Sequence, residues 1–126
     1  MTGAREAAAY DRSARRFARA CAAGDVAALR ATLTSDAVAV ADGGGQVWAA
    51  PHPLRAADGV ARLAATLMRP TADGGLKVES VNGRAGVVLR RGREAVAVVA
   101  FALIGRAIAA VWIVANPDNL RAWPPQ

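Results

Sequence analysis

At 126 residues the chain has room for one hydrophobic core and not for two. It is 54% hydrophobic and 21% charged with no low-complexity tract, which excludes a disordered tail and indicates a single domain over residues 1–126, with 1–12 as an N-terminal extension and 122–126 as a tail. The net charge of +6 is nearly all arginine, Lys77 being the one lysine, and the arginines are not interleaved with aromatics as on a single-strand platform, so direct nucleic-acid binding is not expected.

Cys21 and His52 are the lone cysteine and the lone histidine, which excludes an internal disulfide and argues against a zinc site; no metal or cofactor is expected. Residues 1–9 lack the apolar run of a secretory signal, and a cytoplasmic location is expected. Residues 95–115 are long and apolar enough to suggest a membrane span, but Gly105-Arg106 falls at the centre, where an arginine costs about 2.5–3.5 kcal/mol on insertion. Two strands joined by a tight turn account for it better, and no membrane association is expected.

In chain order, Phe17 and Cys21, preceded by Tyr10 and Ala14, recur at spacings of three and four and predict a helix over 13–23 with arginines on its other face. Gly24 can end it and Asp25 can cap a second helix carrying Val26, Leu29 and Leu33. Residues 37–41 and 46–50 flank Asp42-Gly43-Gly44-Gly45 as a predicted hairpin, followed by the stiff Pro51-His52-Pro53 connector. Asp58 is placed to cap a third helix with Val60, Leu63, Ala64, Leu67 and Met68 on one face, ending before Pro70.

The rest predicts four sequential strands: 77–81 and 86–90 around Asn82-Gly83, then 94–104 and 107–115 around Gly105-Arg106. Two helices, two strands, one helix and four strands make an α+β domain with an antiparallel sheet. The last two strands are apolar on both faces, so one face meets helices and the other lines a pocket or meets a partner.

The Ala22-Ala23-Gly24-Asp25 step and the run Ser35-Asp36-Ala37-Val38 before a Gly-rich turn resemble SnoaL-like, nuclear transport factor 2-like domains. Asp42-Gly43-Gly44-Gly45, Val81-Asn82-Gly83 with Gly86-Val87-Val88-Leu89, and Asn116-Pro117-Asp118-Asn119-Leu120 are similar to the C-terminal extension of SigJ-like extracytoplasmic-function sigma factors. That group usually has lysine at the positions of Gln46 and Asn119. The resemblance implies a cone-shaped curved sheet, a cystatin-like roll, wrapped by three helices around an apolar pocket. It further implies an apolar small-molecule ligand and contact with a sigma factor or polymerase. Separately, residues 94–104 and 107–115 carry more apolar surface than three short helices can cover, which predicts a homodimer through the outer face of the sheet. No promoter- or polymerase-binding region precedes the helical hairpin, so the chain is expected to be an excised domain or a free-standing relative.

Enzymes of this fold, such as ketosteroid isomerases and limonene epoxide hydrolases, place acids and hydrogen-bond donors inside the cone. Where the isomerases carry a helix tyrosine, seven residues before the glycine of the Ala-Gly-Asp step, this chain has Phe17. Asp42 is the candidate general base of a cyclase, isomerase or hydrolase, because period-two alternation puts it on the face of Val38 and Val40; its other role is to accept amides of the glycine turn. His52 either faces the pocket mouth as a proton carrier or is an exposed connector residue. Phe17, Trp48, Leu63, Phe101 and Trp112 are the expected ligand-binding walls. Asn116 either lines the same cavity or ends the last strand by turn chemistry, and Trp123 clamps the tail or a dimer partner.

Overall fold

The computed structural model describes residues 2–42, 54–70 and 74–115. Helix α1 spans Thr2–Ala23. It therefore starts well before residue 13: the alanines at 4 and 7–9 favour helix intrinsically, and Tyr10 extends the buried stripe of Ala14, Phe17 and Cys21 by one turn. Gly24, at φ 65°, ends it as expected. Its N–H reaches the Cys21 carbonyl at 3.1 Å and that of Asp25 reaches Ala20 at 3.0 Å, the double closure of a left-handed cap. Asp25 at once caps α2, Val26–Ala31, its Oδ1 accepting from the Ala28 N–H at 3.0 Å.

Leu33, expected on α2, instead opens strand β1, Leu33–Asp42. The Thr32 hydroxyl donates to the Leu29 carbonyl at 2.7 Å, and the Thr32 carbonyl is taken by the Ile108 N–H at 2.9 Å, so the chain leaves the helix straight into sheet pairing. The expected strand over 46–50 lies outside the described residues. Among those described, β1 pairs with β2, the two residues Leu54–Arg55.

Helix α3, Ala57–Leu67, carries Val60, Leu63 and Ala64 on its buried face. Asp58 does not cap it: the cap position is Ala56, at φ 82°, with no side-chain hydrogen bond. The Asp58 carboxylate sits in the first turn and binds Arg62 at 2.9 Å and Arg30 of α2 at 3.2 Å, which favours the helix N-terminus and links the two helices. Those hydrogen bonds, Arg62 first, hold its pKa below the ordinary carboxylate value.

Strands β3 (Gly74–Val81), β4 (Arg84–Arg91), β5 (Glu94–Ile104) and β6 (Ala107–Val114) form a meander. The first turn is two residues, Asn82 at φ 53° and Gly83 at φ 83°, the double positive-φ geometry that matches hairpin twist. Among the described residues six strands form the sheet, in the order β2-β1-β6-β5-β4-β3. All neighbours are antiparallel except β1 and β6, which run parallel because the fourth strand of the meander returns in the direction of β1.

The helices cover one face of this sheet. Under them Phe17, Cys21, Leu29, Val60, Leu63 and Met68 pack on Ala37, Ala39, Val87, Leu89, Val99, Phe101, Val111 and Ile113. A second, smaller apolar cluster of Val81, Val88 and Val98, with Ala100 and Val114 packed on it, lies on the opposite face.

Candidate functional site

The centre of the helix-covered face is aromatic. Phe17 is fully buried and its ring meets that of Phe101 edge to face, with centroids 5.0 Å apart and planes at 69°. Leu63 enters the same buried cluster from α3. Three of the expected wall residues, from a helix, a strand and a second helix, are thus brought together.

Trp112 is not with them. It is 44% exposed on the other face of the sheet, beside Val40, its register partner on β1. The reason is a bulge. Ala102 pairs with Ala110 and Leu103 with Ile108, which leaves Ala109 as an extra residue and reverses the parity of β6 after it. Ile108 is buried before the bulge; Val111 and Ile113 are buried beyond it.

The same outer row corrects the reading of β1. Ala37 and Ala39 are the fully buried residues of that strand, whereas Val40 is 41% exposed. Val38 and Val40 form the row turned from the helix-covered core, and the backbone of Asp42 is in register with Val114. Trp48, His52, Asn116 and Trp123 lie outside the described residues.

Two polar constellations escaped sequence reasoning. Tyr10 is buried, its hydroxyl accepting from Arg84 Nη1 at 2.9 Å and from the Leu103 N–H at 3.4 Å, with the Arg84 guanidinium 4.8 Å above its ring. Arg84 also pairs with Glu6 at 3.3 Å. The other is Arg90, which is 4% exposed: Nε and Nη2 donate to the two Glu79 oxygens at 2.8 Å each, and Nη1 donates to the Arg93 carbonyl at 2.8 Å. The Arg90 hydrogen bonds hold the Glu79 carboxyl below the usual range. The Asn82-Gly83 hairpin register, counted outward, puts both residues on one face and was the available signal.

Burial pushes the Cys21 thiol up to about 12, so it is no nucleophile. Among the described residues no cluster of His, Cys, Asp or Glu could hold a metal, and no helix is long and apolar enough to cross a membrane.

No protein-family model matches the chain, and no curated protein sequence matches it. Solved structures do. The extracytoplasmic function sigma factor SigJ of Mycobacterium tuberculosis superposes with a TM-score of 0.68 at 24% identity, covering 94% of this chain and 46% of that one. The chain therefore spans less than half of that protein's length. A putative ketosteroid isomerase from Kribbella flavida gives 0.59 at 16% identity over 96% of this chain and 84% of its own. A SnoaL-like protein from Burkholderia thailandensis gives 0.58 at 15% over 84% and 92%.

The chain has the SnoaL-like fold. In this example of the SnoaL-like fold Phe17 and Phe101 meet beneath the helices, and bulky apolar side chains remain on the outer face.

Proposed function

We propose that the chain is a non-catalytic ligand-binding or regulatory interaction domain that takes an apolar small molecule on the helix-covered side of its sheet. The observation that carries this reading is the Phe17–Phe101 contact. It sets an apolar ring, without a donor, at the helix position where the resembled isomerases carry tyrosine, and Leu63, Val99 and Val111 of the same buried cluster offer only dispersion and burial to a bound molecule. The likeness to SigJ supports a regulatory contact with a sigma factor or polymerase as the output. The test is a thermal-shift and tryptophan-fluorescence screen of apolar metabolites on the wild type and on Phe101→Ala. Binders that raise the melting temperature of the wild type and lose that effect in the variant support the reading; no binder at millimolar concentration sinks it.

The exposed outer row of Val40, Val96, Trp112 and Ile104 supports a homodimer through that face. Light scattering at micromolar concentration should give twice the chain mass, and a monomer would remove this part of the proposal.

The likeness to the putative ketosteroid isomerase favours a second reading, a small cofactor-independent acid/base enzyme with Asp42 as general base and His52 as proton carrier. Asp42→Asn separates the two. Loss of turnover by several orders of magnitude at unchanged stability would favour the enzyme, whereas a stability cost of about 1–2 kcal/mol without catalytic effect fits an acceptor for the glycine turn.

A further inference from the structure

Strand β3 is the last of the sheet order, with β4 on one side. Around the two-residue turn the closing pair Val81/Arg84 exchanges hydrogen bonds, and alternation makes Glu79/Gly86, Lys77/Val88 and Gly75/Arg90 the other bonded pairs. The N–H and C=O groups of Gly74, Leu76, Val78 and Ser80 therefore point away from β4, along an edge that no other described strand pairs. Among the described residues no turn, cap or side-chain hydrogen bond reaches Leu76, Val78 or Ser80.

Two grooves that meet at Val78 follow this edge, with α1 as the opposite wall. The larger, about 600 Å³, is bounded by Arg15, Arg19 and Lys77 over a floor of Ala18, Leu76 and Val78. The smaller, about 400 Å³, continues toward Gly83 between Tyr10, Asp11, Glu79 and Arg84. The trough thus changes from basic near Gly75 to mixed charge near Gly83.

We propose that β3 is a docking edge for an extended acidic segment of a partner protein, which adds a seventh strand to the sheet. Its backbone would bond the outward groups of Leu76 and Val78, and its carboxylates would lie against Arg15 and Arg19. A second copy of this chain fits the edge poorly, because pairing β3 with β3 across a two-fold axis brings the same cations together. The site is separate from the Phe17–Phe101 region and does not depend on what binds there.

The experiment uses the whole chain and a short labelled peptide of alternating glutamate and valine, with three controls: an N-methylated form that cannot pair, a lysine–valine form, and the Arg15→Glu/Arg19→Glu variant. Both arginines are exposed and the Arg15–Asp11 ion pair is a surface one, so the variant should fold. The expected result is saturable binding of the acidic peptide, with amide exchange at Leu76 and Val78 slowed by at least about tenfold. Affinity should drop at least about tenfold on N-methylation and in the charge-reversed variant, which should prefer the lysine–valine peptide. Equal binding of the N-methylated peptide would reduce the edge to a charged surface and overturn the proposal. So would protection of Leu76 and Val78 that grows with protein concentration alone, or no binding of the acidic peptide at millimolar concentration.

Discussion

Arg90 and Glu79 close on each other through two hydrogen bonds of 2.8 Å, with the guanidinium 4% and the carboxylate 18% exposed. Removing the acid alone strands a cation that has little water to return to. Glu79→Ala should therefore cost about 3–5 kcal/mol, while the double change Arg90→Met/Glu79→Leu should cost much less. Urea denaturation of the single and double variants measures the difference.

The same pair sets an acid limit. The folded pKa of Glu79 is depressed by Arg90, so its stabilising contribution is complete above the ordinary glutamate range and is lost as pH falls through that range toward the lowered folded value. Melting temperature followed from pH 7 downward should fall less steeply in Arg90→Met/Glu79→Leu than in the wild type.

Phe17→Ala removes a fully buried ring and its edge contact with Phe101. A loss of about 3–5 kcal/mol is expected, read from the urea midpoint. A loss under about 1 kcal/mol would mean that the two rings carry little packing.

Tyr10→Phe keeps the ring beneath Arg84 but takes away the oxygen that accepts from Arg84 and from Leu103. The expected cost is about 0.5–1.5 kcal/mol. Exchange of the Leu103 amide should quicken in the variant more than that of its neighbours on β5.

Cys21, 1% exposed with its thiol pushed up to about 12, should ignore a thiol reagent at pH 8 in the native protein and react fully in guanidinium. Native-state labelling at the rate of a free thiol would contradict the burial of α1 on the sheet.

Most of the fold was legible in the sequence because local chemistry dictates it. Gly24-Asp25 both ends one helix and begins the next, Asn82-Gly83 requires two positive φ angles, and the three-four spacing of Tyr10, Ala14, Phe17 and Cys21 has one helical solution. The aromatic centre was legible too, since Phe17 and Phe101 are the two phenylalanines of the chain and both lie on buried faces.

What local chemistry could not decide was which face of each strand turns inward. In β1 and β6 both faces are apolar, so period two offers two equivalent answers. One extra residue at Ala109 sends Trp112 to the outer face, and the register that pairs Val38 with Ala110 and Val40 with Trp112 puts those valines on the same side. The position of β3 at the sheet edge likewise depends on β1 pairing with β6, a contact between distant segments that no neighbouring residues announce. Register and strand order come from the mutual packing of sheet and helices, and so only the tertiary structure decided them.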